Sequence, residues 1–353
     1  MELIFKEEDS QFLAHLRALS IFVIVFGHVG GFWIFGPSSK FLLVFLAFFF
    51  FISGVVSFVS LERYPSLPKW IFRRFLSLYV PYLLFCLVPL GVYIFLYRSL
   101  PHFSLKSFFD WLKMYPASSY KIYPLGHLWF LQTLMIITVL FAPLMFSFFK
   151  RFYFAPWLCF GALTFLATLK FLGLIVRDFS LCGISFYKPI VYSFFYVLAW
   201  FFLFDRSTFC GARFLLLNFL LFFFCLAFLL FKRQTFYFEG HIHPPDIYFV
   251  SVSTLCIILL VRIQRWFNLF FSLPLLHVFS KFFFEHTYSI YLLHTFAIFL
   301  SETAFGFLLP STKNFFYGII KLSVVLLLTS VFALFFDFFA KKLTKRFLIY
   351  LGG

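Results

Sequence analysis

Long apolar runs, separated by short segments that carry charges, prolines or glycines, make up most of the chain. A helix of roughly 20 apolar residues is long enough to cross the hydrocarbon core of a bilayer. Ten such runs predict ten membrane-spanning helices, of which the sixth and eighth are short. They cover residues 13–34, 41–61, 75–97, 127–149, 152–172, 189–204, 214–231, 247–261, 284–308 and 315–338. We therefore expect an all-α, polytopic membrane bundle of about 10 transmembrane helices.

Composition restricts the chain to this class. Hydrophobic residues make up 63% of the 353 positions, charged residues make up 12%, and phenylalanine alone occurs 67 times. Soluble globular domains are about one half apolar and about a quarter charged, so soluble enzymes, binding modules and disordered proteins are excluded. We expect a single membrane-embedded domain over residues 1–353, with no metal site and no nucleic-acid partner.

The formal net charge of +16 comes from 29 lysines and arginines that form short clusters between the apolar runs. Such residues are enriched in the cytoplasmic loops of membrane proteins. An even number of spans places both termini on one side, and the densest clusters, Arg73–Arg74 and Lys341–Arg346, fall on that side. This distribution predicts that both termini are cytoplasmic.

The first apolar run contains two side chains that are costly to place inside a membrane, Arg17 and His28. At about 100° per residue they lie within about 20° of one another on one helix face, about 16 Å apart along the axis. We expect Arg17 near the cytoplasmic mouth, where a guanidinium can hold phosphates, and His28 near mid-membrane, where an imidazole can take a proton from a hydroxyl. The alternative is that Arg17 reaches the lipid headgroups and His28 bonds a neighbouring helix.

Four further stretches accompany this pair. They are F-F-F-F-I-S-G at 48–54, R-R-F-L-S-L-Y-V-P-Y at 73–82, G-H-L-W-F-L-Q-T-L at 126–134 and H-T-Y-S-I-Y-L-L-H at 286–294. In this order, and together with the R-x10-H motif formed by Arg17 and His28, they resemble the acyltransferase 3 family of integral membrane acyltransferases. The resemblance covers most of the chain, from about Leu13 to Asp337.

The resemblance implies an integral membrane O-acyltransferase in a bacterial inner membrane. Such an enzyme moves an acyl group, most often acetyl, from cytoplasmic acyl-CoA to a hydroxyl of a cell-surface glycan or a lipid-linked sugar. Acyl-CoA is then a co-substrate, and no cofactor stays bound. The expected partners are this donor, the glycan or glycolipid acceptor and membrane lipids. Some members of this family carry a fused extracytoplasmic hydrolase-like domain, which we do not expect in this chain. Transfer would then be completed in the membrane domain or by a separate extracytoplasmic transferase that receives the acyl group.

The matched motifs also imply roles for individual residues. His28 would act as a general base or carry the acyl group transiently, and Arg17 is the second catalytic candidate. The phosphates of acyl-CoA would be bound by Arg17, Arg73 and Arg74. Trp129 would pack on the pantetheine arm or on a sugar ring, and its alternative role is that of a tryptophan at the membrane interface.

Tyr288, Tyr291 and His294 recur every three residues and trace one side of a helix. We expect them to donate hydrogen bonds to a thioester oxygen or an oxyanion, or alternatively to join neighbouring helices. Ser53 is a further substrate-positioning candidate, although Ser53 and Gly54 also suit a close approach of two helices.

Two other functions compete with this interpretation. A transporter or a lipid or glycan flippase would use intramembrane Arg and His as a proton or substrate path, but the sequence lacks paired intramembrane carboxylates and a detectable two-fold repeat. A different class of membrane acyltransferase needs an upstream asparagine, and Asn218, Asn268 and Asn314 do not precede a suitable histidine. His241 and Asp246 form an H-x4-D pattern, which we interpret as part of an outer loop.

Overall fold

The computed structural model describes residues 3–31, 37–98, 105–114, 125–175, 180–181, 184–242, 245–306 and 315–350. Most of these residues are helical, and one short antiparallel pair of strands joins Ser180–Leu181 to Ile184–Ser185. The first eight α-helices are α1 (Glu7–His28), α2 (Phe45–Arg63), α3 (Leu67–Phe85), α4 (Leu87–Tyr97), α5 (Leu105–Leu112), α6 (Leu128–Ile136), α7 (Ala142–Arg151) and α8 (Ala155–Phe171). The others are α9 (Tyr187–Tyr192), α10 (Phe194–Phe204), α11 (Arg206–Phe209), α12 (Ala212–Lys232), α13 (Ile247–Arg262), α14 (Gln264–Phe271), α15 (Pro274–Glu285), α16 (Thr287–Gly306) and α17 (Phe315–Tyr350).

The predicted spans all overlap helical segments, and the all-α class is confirmed. The predicted count of ten spans is not confirmed. Within the described ranges seven helices are long and apolar enough to cross a membrane, or eight if the bent pair α13 and α14 forms one span. Helix α8 is shorter, with 17 residues. Helix α16 has 20 residues but is interrupted by polar side chains such as Ser289 and His294.

Helix α1 begins at Glu7 and ends at His28, whereas the apolar run predicts residues 13–34. Its first turn carries Glu7, Glu8 and Asp9, and the helix dipole stabilises negative charge at that end. His28 is therefore the last residue of the helix, and Arg17 lies near its middle. The expected depths, with Arg17 near the cytoplasmic mouth and His28 near mid-membrane, stay predictions.

Helices α14 and α15 are not among the predicted elements. Helix α14 leaves α13 at an angle of 74°. Gln264 and Phe271 face the protein, whereas Trp266, Leu269 and Phe270 are exposed. An exposed apolar face is expected of a helix that lies in the plane of the membrane interface. The two helices have only 8 and 12 residues, too few to register as spans.

The chain divides into two compact units that interleave along the sequence. The first unit consists of Met1–Ile24, Phe35–Pro65 and Ile136–Glu285. The second unit consists of Val25–Ile34, Ser66–Met135 and His286–Gly353. Each unit is thus assembled from segments that are far apart in the sequence.

The first unit is built around α10, whose residues are all buried. A helix that is apolar on every side is stable only when other helices or lipid surround it. It packs so closely on α2 that a Cβ atom at Gly54 would lie 2.9 Å from Ala199 Cβ and 3.0 Å from Tyr196 Cα. Helix backbone cannot give way as the end of a flexible side chain can, so this approach requires a glycine.

In the second unit, Asp337 joins α17 to the start of α16. Its carboxylate accepts a hydrogen bond from Ser289 Oγ and lies 2.5 Å from His286 Nδ1. Lys341 Nζ is 3.1 Å from the same carboxylate, one turn further along α17. A buried carboxylate is tolerated among apolar helices when partners of this kind surround it. These contacts fix the end of α16 that leads to Tyr291 and His294.

Helix α3 holds α5 in place through two tyrosines of the R-R-F-L-S-L-Y-V-P-Y stretch. Tyr82 donates a hydrogen bond of 2.7 Å to the carbonyl oxygen of Trp111, and Tyr79 donates one of 3.1 Å to that of Leu112. These carbonyls lie at the end of α5, where helix oxygens have no partner within the helix. The two tyrosines therefore have a structural role.

We expect Gly54→Ala to lower the thermal stability of the purified protein. The new methyl group would overlap the backbone of Tyr196 and the side chain of Ala199, and overpacking of this kind costs about 1–3 kcal/mol. Thermal unfolding in detergent, followed by circular dichroism, measures the change. Gly161→Ala is the matched control, since a Cβ atom there meets nothing within 4 Å on an exposed face of α8. Equal unfolding midpoints for the two variants would contradict the role of Gly54.

Candidate active site

Two histidines from opposite ends of the sequence meet edge to edge in the second unit. His28 is the last residue of α1, and His294 lies on α16. Their ring centroids are 4.8 Å apart, the ring planes differ by 10°, and His28 Nδ1 lies 2.6 Å from His294 Nε2. At this separation one of the two nitrogens donates a hydrogen bond to the other.

The backbone around His294 decides which nitrogen donates. His294 Nδ1 lies 2.7 Å from the carbonyl oxygen of Tyr291 and 3.3 Å from that of Ile290. A carbonyl oxygen only accepts, so Nδ1 of His294 carries the proton, and Nε2 of the neutral ring has a lone pair. Nε2 of His294 therefore accepts from Nδ1–H of His28. The neutral His28 ring keeps its lone pair on Nε2.

The two residues differ in burial. His294 is fully buried, with 0% of its surface exposed, whereas residue His28 is exposed at the end of its helix. Because Nδ1 of His28 is engaged with His294, Nε2 is the nitrogen that remains to act on a substrate. An imidazole with a lone pair on one nitrogen, and with the other nitrogen held by a second group, suits a general base or a nucleophile.

His127 completes a group of three histidines, His28, His127 and His294, which we call the histidine cluster. The His127 ring centroid lies 6.4 Å from that of His28 and 5.0 Å from that of His294. Tyr291 lies beside it at 5.3 Å, and the tyrosine hydroxyl donates to the backbone carbonyl of His127. Sequence reasoning assigned no role to His127, and the available signal was its place in the G-H-L-W stretch.

The tyrosines of the α16 stripe both donate to backbone carbonyls. Tyr291 bonds the carbonyl of His127, and Tyr288 donates a hydrogen bond of 2.6 Å to the carbonyl of Leu78 on α3. Tyr288 also lies within electrostatic reach of Arg74. Both hydroxyls thus join helices, which is the alternative role that the sequence left open. Their donation to a substrate oxygen stays a prediction.

The three arginines expected to bind phosphates lie on α1 and α3. Arg17 is half-buried, and its guanidinium carbon lies 5.5 Å from the ring centroid of Phe284. On α3, Arg73 is exposed and Arg74 is half-buried. Arg17 and His28 share the continuous helix α1, so the common face predicted from their spacing is retained.

Trp129 lies at the start of α6, close to the histidine cluster along the chain. It is half-buried, and its ring is 6.1 Å from that of Phe130. The ring of Phe130 lies in turn 5.3 Å from that of Tyr291. The ring of Phe130 therefore lies between Trp129 and Tyr291, the residue that bonds the backbone of His127. A pantetheine or sugar contact and an interfacial role both remain compatible with this place.

Ser53 takes part in a hydrogen-bond chain of the first unit. It accepts a bond of 2.8 Å from the hydroxyl of Tyr196 on α10. The same hydroxyl lies 2.7 Å from Thr138 Oγ1, in the π-helical turn that separates α6 from α7. Next to Gly54, this chain supports the close-approach interpretation of the pair. The substrate-positioning role of Ser53 stays a prediction.

His241 and Asp246 pair in the loop before α13. His241 Nδ1 lies 2.5 Å from Asp246 Oδ2, and Nε2 lies 3.1 Å from the carbonyl oxygen of Thr235. Burial lowers the pKa of His241, but the hydrogen bond and charge of Asp246 outweigh burial and the net shift of this pKa is upward. Asp246 also caps α13 by accepting from the amide of Phe249. This H-x4-D pattern therefore serves the loop, as the sequence suggested.

The remaining candidates have local roles. Asn218 donates to the carbonyl of Phe214 within its own helix, and Asn268 donates to the carbonyl of Glu8. Asn314 lies outside the described residues. Across the part of the chain that the structure describes, no group of three His, Cys, Asp or Glu side chains is placed to hold a metal ion.

The fold and the histidine cluster define an integral, multi-pass membrane protein with a histidine pair suited to proton or acyl transfer. The sequence profile of the acyltransferase 3 family, described as an acyltransferase domain, matches residues 10–336. The chain belongs to this family and is a membrane acyltransferase. No curated protein and no solved structure matches the chain. Family membership favours acyl chemistry over the transporter or flippase alternative.

We expect His28 to occur as the Nδ1–H tautomer, whereas free neutral histidine favours Nε2–H. Nitrogen-15 chemical shifts of histidine-labelled protein, assigned with a His28→Gln variant, identify the protonated nitrogen. His294→Phe removes the acceptor and should return His28 to the Nε2–H form. His277→Phe, at an exposed position on α15, is the control and should leave the His28 signals unchanged. An Nε2–H signal for His28 in the unaltered protein would show that the hydrogen bond runs the other way.

Proposed function

We propose that the protein is an integral membrane O-acyltransferase of a bacterial inner membrane. It moves an acyl group, most often acetyl, from cytoplasmic acyl-CoA to a hydroxyl of a cell-surface glycan or a lipid-linked sugar. The observation that carries this proposal is the hydrogen bond from His28 to His294, which leaves the lone pair of the His28 ring on Nε2. The acceptor class rests on the family resemblance of the motifs.

The proposed reaction needs one group that takes a proton or the acyl group itself. As a general base, Nε2 of His28 removes the proton of the acceptor hydroxyl while the oxygen attacks the thioester carbonyl. The carbon–sulfur bond then breaks, and the coenzyme A thiolate takes up the proton. As an acyl carrier, the same nitrogen first attacks the thioester carbonyl and the carbon–sulfur bond breaks to release the thiolate. The hydroxyl then takes the acyl group from the nitrogen, and its proton goes to the thiolate. Both routes use Nε2.

His294 acts as a positioning residue in this scheme. Its Nδ1–H is held by the carbonyl oxygens of Tyr291 and Ile290, so its Nε2 stays an acceptor and keeps the His28 ring in one orientation and one tautomer. The C-terminal end of α1, where His28 lies, carries partial negative charge. That charge stabilises the imidazolium that forms when His28 takes a proton.

The donor's charged groups suit the arginines of α1 and α3. Coenzyme A carries several phosphate charges, and the planar guanidinium forms paired hydrogen bonds with phosphate oxygens. Arg73 is exposed and Arg74 half-buried on one turn of α3, and Arg17 lies on the helix that ends at His28. We assign these three side chains to acyl-CoA binding, with Trp129 as a packing surface for the pantetheine arm or a sugar ring.

We expect His28→Ala to abolish acyl transfer while the protein still folds. Loss of a general base lowers the rate by about 10²–10⁴-fold, and loss of a nucleophile stops covalent transfer. Mass spectrometry of cell-envelope glycans and lipids, from cells with the wild-type gene, without it and with His28→Ala, measures the reaction. The mass that distinguishes the first two samples identifies acyl group and acceptor class. His277→Ala is the control and should acylate at the wild-type level. Acylation at that level by His28→Ala would contradict the catalytic assignment.

We expect Arg17→Ala to weaken acyl-CoA binding more than acceptor use. Hydrogen bonds to a charged group contribute about 1.5–3 kcal/mol, so the dissociation constant for acyl-CoA should rise by at least about tenfold. Titration of the reconstituted protein with acyl-CoA measures it. Arg151→Ala is the matched control, since this arginine also lies 5.5 Å from a phenylalanine ring. An unchanged constant for Arg17→Ala would contradict its role in donor binding.

A further inference from the structure

A cavity of about 270 Å³ opens in the first unit, where the start of α1 meets the start of α11 and the junction of α13 with α14. Its charged lining residues are the cations Lys6, Arg206, Arg262 and Arg265 and the carboxylates Glu8 and Asp9. The cations exceed the carboxylates by two. All of these segments belong to the side of the membrane that the sequence predicts to be cytoplasmic.

The floor of the cavity is a rigid polar network. Asp9, only 1% exposed, accepts hydrogen bonds of 2.7 Å from Arg206, 2.9 Å from Gln264 Nε2 and 2.9 Å from the amide of Lys6. Arg206 also donates to Gln264 Oε1 at 2.9 Å and lies 4.7 Å from the ring centroid of Phe202. Asp9 and Arg206 neutralise one another and keep the floor in one geometry.

Among the lining residues outside the Asp9 network, the positive charges outnumber the negative ones. Arg262 is held by a hydrogen bond of 2.5 Å to the carbonyl oxygen of Cys210, which fixes its position but does not neutralise its charge. Lys6 and Arg265 are exposed at the rim. Against the positive charges of Lys6, Arg262 and Arg265, the lining offers one further carboxylate besides Asp9, that of Glu8. A concave site with a fixed floor and surplus cations attracts a phosphate group.

The apolar surface beside the cavity indicates where this phosphate comes from. On α14, Trp266 is 71% exposed, Leu269 60% and Phe270 56%. Helix α14 bends by 74° from α13, so it is oriented to lie along the membrane surface with this face towards the acyl chains. A tryptophan at such a helix marks the headgroup level. Arg265 precedes Trp266 in the chain, so its guanidinium is expected at the depth of the lipid phosphates.

We propose that this cavity binds the phosphate headgroup of an anionic phospholipid of the cytoplasmic leaflet, whose acyl chains lie on the exposed face of α14. Basic pockets between helices on the cytoplasmic side are suited to such headgroups. The free nucleotide end of acyl-CoA supplies the same phosphate chemistry, but it has no acyl chains for the apolar surface beside the cavity. The site is independent of the proposed transfer reaction.

The test uses the full-length protein in nanodiscs of phosphatidylcholine with a rising fraction of phosphatidylglycerol. Native mass spectrometry counts the lipids that stay bound. The double variant Lys6→Gln/Arg265→Gln removes two rim charges without touching the Asp9 network or the histidine cluster. Each charge near the membrane surface contributes about fivefold in affinity, so the preference for phosphatidylglycerol should fall roughly 30-fold. The matched control Arg151→Gln/Arg213→Gln removes two exposed arginines elsewhere in the first unit and should keep the preference.

Retention of phosphatidylglycerol by wild type and control, together with its loss from the rim variant, supports the proposal. Equal retention of both lipids by the wild type overturns it, and so does an equal loss in the two double variants. Displacement of the bound phosphatidylglycerol by free coenzyme A, with a raised KM for acyl-CoA in the rim variant, also overturns it and assigns the cavity to the acyl donor instead.

Discussion

Polar side chains inside this bundle must find their hydrogen-bond partners within the protein, because lipid tails offer none. The chain is 63% hydrophobic, so few groups near a polar side chain in a span can form a hydrogen bond with it. Asp337 is satisfied by Ser289 and His286, and this joins α17 to α16. Asp9 is satisfied by Arg206 and Gln264 in the same way. The need for partners therefore sets which helix ends are held together, beyond what apolar packing alone specifies.

The same need fixes the chemistry of the histidine pair. His294 donates to the carbonyls of its own helix, and this makes it an acceptor for His28. In the loop before α13 the situation differs, because both nitrogens of His241 face acceptors, one of them the carboxylate of Asp246, and the charged ring is favoured. Among the described contacts of His28 and His294 there is no carboxylate. The group that orients His28 is therefore a neutral imidazole.

Local sequence pattern predicted the helices well and the site only in part. Apolar runs are a property of each segment, so the predicted spans overlap helical segments. The amphipathic helix α14 was missed because 8 residues are too few for the span criterion. The shared face of Arg17 and His28 follows from helix periodicity alone. The contact of His28 with His294 and His127 depends on how distant helices pack, and no spacing within one helix encodes it.

Hydrogen-bond capacity distinguishes the polar residues that join helices from the residue proposed to react. The hydroxyls of Tyr288 and Tyr291 are committed to backbone carbonyls, and either could serve an oxyanion only by giving up that hydrogen bond. The hydroxyl of Ser53 already accepts from Tyr196. His28 differs because one nitrogen is held while the other keeps a lone pair that none of the described hydrogen bonds engages. For this reason we propose His28, and not a tyrosine of the α16 stripe, as the group that carries the reaction.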